Sequence, residues 1–160
     1  MPNSTLVAEP GTLEITMTRI FDASPELVWK LTTDPKLIPE WWGAASLTTV
    51  VDKMDVRPGG QWRFVETDSE GNEYAFHGVY HTVDNPGTLI QTFEWEGMPG
   101  HVLLETITLE AIEGGQTRMI DQSVFQSVAD RDGMLMSGME EGSVETYERL
   151  SALIKKARAA

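Results

Sequence analysis

The sequence predicts an α+β fold in which a curved antiparallel sheet of seven strands surrounds one long C-terminal helix. Period-two alternation of apolar residues runs from position 46 to about position 126 and is interrupted only by turn-forming residues. From Asp130 to Arg158 the apolar residues recur every three or four positions instead. Short links between strands require antiparallel neighbours, and a long one-sided helix must pack on a sheet.

One strand and two short helices are predicted ahead of the main run of strands. Leu13–Phe21 alternates between apolar and polar residues, which is typical of a strand. Ser24-Pro25 followed by an acidic residue is a helix start, and Asp34-Pro35 begins a second short helix by the same logic. The second helix ends near Trp41-Trp42-Gly43. Because adjacent side chains point in different directions, one tryptophan can enter the core while the other lines a space nearby.

Six further strands are separated by turns rich in glycine, proline and asparagine. They are predicted at 46–56, 60–68, 73–84, 88–96, 102–112 and 116–126. Arg57-Pro58-Gly59-Gly60 is predicted to be the turn between the first two, with Arg57 paired locally to Asp55 or Asp52. The six strands form one meander, and the strand at Leu13–Phe21 joins it.

The C-terminal helix carries one apolar stripe and one charged face. The stripe comprises Met136, Met139, Ser143, Tyr147, Leu150, Ile154 and Ala157. The opposite face carries Glu141, Glu145, Glu148, Arg149 and Lys156. A curved sheet that grips one helix leaves a space near one end, and the two short helices are placed to close that end.

Composition limits the class of protein. A chain of 160 residues fits one domain, predicted at 11–160 after a flexible leader at 1–10. The net charge of −13 argues against nucleic acids and anionic membranes as partners, because both need clustered cations. The absence of cysteine excludes a thiol nucleophile, and no apolar stretch is long enough to span a bilayer. We therefore expect a cytoplasmic monomer or homodimer without a cofactor.

Glu105 and Asp121 are the candidate catalytic residues. Alternation places both on the inward face of neighbouring strands, if the turn at 113–115 joins them. A carboxylate directed at an apolar interior is costly unless it is bonded or neutral, and such a pair can perform acid–base chemistry. Alternatively, the pair faces solvent at a rim or bonds to Ser143 or Tyr147. His77 and His81 lie too far apart along a strand to bind one ion, so no metal site is predicted.

The candidate ligand-binding residues are the inward aromatics, the carboxyl pair and the smaller side chains of the C-terminal helix. Core filling is the alternative role for the aromatics. The set comprises Trp41, Trp42, Trp62, Phe64, Phe93, Trp95, Glu105, Asp121, Phe125, Met134, Met139 and Ser143.

Several motifs together resemble one known family. They are Ser24-Pro25 with Val28-Trp29, Trp41-Trp42-Gly43, Asp55 and Arg57 with Gly59-Gly60, Glu105-Thr106 with Thr108-Leu109, Gly115 with Thr117-Arg118, and Gly138-Met139 with Gly142-Ser143. From Leu13 to about Lys156 the chain resembles the activator of heat-shock protein 90 ATPase-like (AHSA1-type) family. That family belongs to the START-like (SRPBCC) superfamily, which has the helix-grip fold and includes lipid-transfer domains and polyketide cyclases.

The resemblance implies a ligand cavity more than a defined activity. The first expectation is binding of an apolar or amphipathic small molecule between the sheet and the C-terminal helix. The alternatives are a cyclase- or hydrolase-like enzyme that uses Glu105 and Asp121, and a co-chaperone-like activator of a heat-shock chaperone ATPase. Relatives often carry tryptophan where this chain has Met139 and Ser143, which implies a wider cavity here, unless Met134 and Met136 fill it.

Overall fold

Eight strands and four helices make up residues 4–160, the part of the chain that the computed structural model describes. The strands are β1 (Ser4–Val7), β2 (Glu14–Phe21), β3 (Thr48–Met54), β4 (Gln61–Thr67), β5 (Glu73–Asp84), β6 (Thr88–Trp95), β7 (Val102–Ile112) and β8 (Gln116–Val124). The helices are α1 (Pro25–Thr33), α2 (Ile38–Trp41), α3 (Val128–Met136) and α4 (Met139–Ala159).

All eight strands form one antiparallel sheet in the order β1-β2-β8-β7-β6-β5-β4-β3. The six strands β3 to β8 are neighbours in chain order, which confirms the predicted meander. Strand β2 pairs with β8, the last strand of the meander, and places Met17 opposite Asp121. The α+β helix-grip prediction is therefore confirmed in its layers and in its connections.

The predicted number of strands was wrong by one, because β1 lies within the segment predicted as a flexible leader. Ser4 pairs with Arg19 and Val7 with Thr16 across the β1–β2 ladder. The Arg19 guanidinium also donates to the Ser4 hydroxyl at 2.9 Å, and Leu6 packs against the core. A strand of four residues is too short to show a recognisable alternation. Residues 1–3 of the predicted leader lie outside the described residues.

The C-terminal segment is two helices, where one was predicted. Gly138 adopts a left-handed backbone conformation with φ of 85°, which ends the helical path between α3 and α4. Helix α4 packs Tyr147, Leu150 and Ile154 onto the sheet, as the stripe predicted. Met136 does not belong to that stripe, because it ends α3 and is 87% exposed.

The helices α1 and α2 lie across one end of the sheet. Ser24 caps α1 as predicted, accepting from the Leu27 amide at 3.3 Å. Helix α2 begins later than Asp34-Pro35, because that dipeptide forms a turn in which the Asp34 carbonyl accepts from Leu37 at 2.9 Å. Trp41 is 9% exposed, and its indole nitrogen donates to the Leu31 carbonyl at 3.2 Å. The end of α2 is therefore anchored to α1.

Candidate ligand-binding cavity

A cavity of about 520 Å³ lies between the sheet and α4. Its volume is within the range typical of small-molecule sites. Eleven of the predicted binding residues lie in its wall: Trp41, Trp42, Trp62, Phe64, Phe93, Glu105, Asp121, Phe125, Met134, Met139 and Ser143. Trp95 does not; it is the last residue of β6 and is 39% exposed.

Five rings form an aromatic cluster at the wall, namely Trp42, Trp62, Phe64, Phe76 and Phe93. Trp42 meets Phe64 edge-to-face, with ring centroids 5.0 Å apart, and Phe76 at 5.5 Å. Trp62 is fixed by a hydrogen bond from its indole nitrogen to the Thr92 carbonyl at 3.2 Å. These rings give the cavity a rigid apolar surface, and Trp42 connects that surface to α2.

Glu105 and Asp121 form a carboxyl pair in the same wall. Asp121 is opposite Ile107 in the β7–β8 ladder and Glu105 is opposite Ser123, so the two acids lie diagonally on the inward face. Gln91 donates to Glu105 Oε1 at 2.9 Å, and the Tyr147 hydroxyl donates to Asp121 Oδ2 at 3.3 Å. Asp121 Oδ1 is buried and has no hydrogen-bond partner within residues 4–160.

The surroundings of the carboxyl pair favour the protonated form of Asp121. Burial raises the pKa of Asp121 well above its usual range, and the adjacent charge of Glu105 and a hydrogen bond with it raise that pKa further. Burial also raises the pKa of Tyr147, so its hydroxyl remains a donor. A neutral Asp121 carboxyl beside Glu105 avoids two adjacent buried charges.

Glu66 is a third carboxyl in the wall, and the sequence analysis missed it. It follows Trp62 and Phe64 on the inward face of β4 and is 6% exposed. Burial raises the pKa of Glu66 to about 7, although the positive charge of Arg149 opposes that shift. Its Oε2 atom has no hydrogen-bond partner in the described part of the chain. Inward side chains of β4 alternate at Trp62, Phe64 and Glu66, so the next inward position after Phe64 would have identified this carboxyl.

Residues 39–45 form a lid over this end of the cavity, and α4 holds the lid in place. Arg149 donates to the carbonyl oxygens of Pro39 at 3.2 Å and Gly43 at 2.8 Å, with longer bonds to the two residues that flank Gly43. Glu145 Oε1 accepts from the Ala45 amide at 2.7 Å. The charged face of α4 therefore latches the lid to the helix.

Gly43 permits the close contact between the lid and Glu66. Its φ is 87°, a conformation that favours glycine, and an added Cβ would collide with the carboxyl group of Glu66. The glycine of the Trp41-Trp42-Gly43 motif is thus required by the carboxyl beneath it.

The remaining polar candidates lie away from the cavity. Arg57 pairs with Asp55 at 2.7 Å in an exposed position, which confirms the predicted local ion pair. His77 contacts Glu96 at 2.9 Å, whereas the nearest side-chain partner of His81 is Thr82 at 3.0 Å, so the two histidines do not share a site. Within residues 4–160, no cluster of three acidic or histidine side chains is arranged for a metal ion.

None of the described helices combines the length and the apolar character that a membrane span requires. Strands and helices of similar arrangement occur in several solved bacterial proteins. A Rhodobacter sphaeroides protein is 26% identical over 96% of this chain and 99% of its own, with a TM-score of 0.87. An Arthrobacter aurescens protein is 25% identical over 95% of this chain and 91% of its own, with a TM-score of 0.86.

An AHSA1 protein from Silicibacter pomeroyi shares the fold, with a TM-score of 0.74 and 23% identity over 90% of this chain and 99% of its own. No curated protein matches the sequence significantly. The family model described as activator of Hsp90 ATPase homolog 1-like protein matches residues 22–155, which confirms the resemblance inferred from the motifs. The chain therefore belongs to the family of activator of Hsp90 ATPase homolog 1-like proteins.

Proposed function

We propose that this protein binds a small apolar or amphipathic molecule in the cavity between the sheet and α4. The observation that carries the proposal is an apolar cavity of about 520 Å³ whose wall includes Asp121, a carboxyl with one buried oxygen, Oδ1, that has no hydrogen-bond partner among residues 4–160. Burial of an apolar ligand against the aromatic cluster supplies the driving force. A polar group on the ligand that forms a hydrogen bond with this Asp121 oxygen would fix the orientation.

Binding can be tested by thermal shift and native mass spectrometry against a panel of lipids, steroids and polyketides. A ligand that binds only the folded state raises the melting temperature, and the stabilisation grows with the logarithm of its concentration relative to Kd. Mass spectrometry gives the stoichiometry, which we expect to be one molecule per chain. A panel in which no compound shifts the melting temperature or adds mass would overturn the proposal.

Filling the cavity should abolish this binding. We expect Met139→Trp and Ser143→Trp each to remove the ligand-induced thermal shift, because both side chains lie in the wall and a tryptophan would occupy the space. Met136→Trp is the matched control, since Met136 is 87% exposed and lies outside the wall. The shift should persist in that variant. Unchanged shifts in both cavity variants would place the ligand elsewhere.

A second candidate function is acid–base catalysis on the bound molecule. The observation that favours it is the position of Glu105 and Asp121 side by side in the cavity wall, where burial raises the pKa of Asp121, because a neutral carboxyl can donate a proton to a bound molecule. Incubation of any ligand found in the panel, followed by mass spectrometry of the products, tests this role. We expect Glu105→Gln and Asp121→Asn each to lower turnover by about 100-fold or more. If turnover is unchanged in both variants, the catalytic role is wrong and only the binding function remains.

A further inference from the structure

The charged groups that line the cavity are all acidic. Glu66, Glu105 and Asp121 lie in the wall, which contains no lysine, arginine or histidine among the residues that the structure describes. A ligand with a carboxylate, phosphate or sulfate head would bring a further negative charge close to these groups without a cation to compensate it. The lining therefore disfavours anionic amphiphiles such as fatty acids.

Glu66 has an acceptor oxygen without a hydrogen bond, and the backbone of the lid at Gly43 covers it. The side chain is 6% exposed, it forms part of the cavity wall, and Oε2 lacks a partner among residues 4–160. Arg149 is the cation that influences this carboxyl, but its guanidinium donates to the carbonyl oxygens of the lid. A buried oxygen without a hydrogen bond is costly, so a donor from a ligand would be stabilising at this point.

Aromatic rings lie next to this acceptor. Phe64 precedes Glu66 by two residues on the same face of β4, and Trp42 adjoins Gly43, whose backbone packs on the Glu66 carboxyl. The rings of Trp42 and Phe64 are 5.0 Å apart. Faces of aromatic rings attract cations, and a carboxylate beside them adds a charge-assisted hydrogen bond. This combination recognises protonated amines.

We propose that the ligand is an apolar molecule with one basic nitrogen, whose ammonium group binds Glu66 beneath the lid and contacts Trp42 and Phe64. This inference rests on the proposed binding function and specifies its ligand class. The hydrocarbon body of the ligand would extend along the apolar wall toward the carboxyl pair. The ammonium group would satisfy Glu66 Oε2, which it reaches when the lid moves away from this carboxyl.

A matched series of three probes tests the charge preference: decylamine, decanol and decanoate, which differ only in the head group. Isothermal titration calorimetry measures the Kd of each for the full chain. We expect decylamine to bind at least about tenfold more tightly than decanol, the ratio that one charge-assisted hydrogen bond provides. Decanoate should bind more weakly than decanol.

Two variants test whether Glu66 causes the preference for the amine over the alcohol. Glu66→Gln should bring the amine-to-alcohol ratio to within about twofold and leave the decanol Kd nearly unchanged, because glutamine keeps the shape without the charge. Glu40→Gln is the control, since Glu40 is an exposed acid of α2 outside the wall, and it should keep the tenfold ratio.

The possible results separate the two proposals. If decanol binds and the amine shows no advantage, or if the advantage survives Glu66→Gln, the ligand class is wrong while the binding function stands. If none of the three probes binds and the wider panel also fails, both are overturned.

Discussion

Replacing Glu66 by glutamine should make the protein more stable at pH 8 by about 3 kcal/mol, the free energy that corresponds to raising a carboxyl pKa from 4.5 to about 7. The folded protein holds a proton on Glu66 that the unfolded chain releases as the pH rises above 4.5. The contribution of Glu66 to the free energy of unfolding therefore falls between about pH 4.5 and pH 7 and is constant above that range. Glutamine cannot ionise, so the variant lacks this loss.

Urea denaturation of both proteins at pH 5 and pH 8 measures the effect. The two should be similarly stable at pH 5, where Glu66 of the folded wild type is mostly neutral. Asp121, whose pKa burial also raises, contributes to the pH dependence of both proteins and cancels in the difference. If the wild type and the variant differed in unfolding free energy by the same amount at pH 5 and at pH 8, the titration would not belong to Glu66.

Replacing Arg149 by alanine should destabilise the protein by about 2–4 kcal/mol and release the lid. The substitution removes hydrogen bonds from one guanidinium to four carbonyl oxygens in residues 39–45. Arg149→Lys keeps the positive charge but not the planar fork, so we expect an intermediate loss. Hydrogen exchange of the lid amides should accelerate in the alanine variant, because an unlatched lid opens more often.

Lys156→Ala is the matched control for the latch. Lys156 lies on the same helix and approaches α2 through Glu40 at 3.9 Å, but its side chain is 79% exposed. Its removal should change the unfolding free energy by less than about 0.5 kcal/mol. Equal losses for Arg149→Ala and Lys156→Ala, with unaltered exchange in the lid, would show that Arg149 does not hold it.

The sequence predicted the sheet well because its signals are local. Each of the five turns that join β3 to β8 contains glycine, and two-residue alternation identified the inward side chains. Strand β1 could not be predicted because four residues carry little periodicity, and its stability depends on pairing with β2. The break at Gly138 was missed because the sequence alone does not show that this glycine adopts a left-handed backbone conformation between α3 and α4.

The sequence predicted most of the residues that the structure places around the cavity, but it missed Glu66 and did not predict the interactions between them. Alternation placed Glu105 and Asp121 inward, whereas the raised pKa of Asp121 and the hydrogen bond from Tyr147 depend on how α4 packs on the sheet. The charged face of α4 was recognised as a stripe opposite the core. Its role in holding the lid required the position of α2, which lies over 100 residues away in the sequence.

The net negative charge of the protein would also affect how fast the proposed ligand is captured. A net charge of −13 attracts cations over distances that reach beyond the cavity, so a positively charged ligand would arrive faster than a neutral one of the same size. Salt screens this long-range attraction and slows the arrival. Departure of the proposed ligand would depend instead on the opening of residues 39–45, where Arg149 donates to backbone carbonyls. The net charge would then govern the rate of capture, and the lid would govern the residence time.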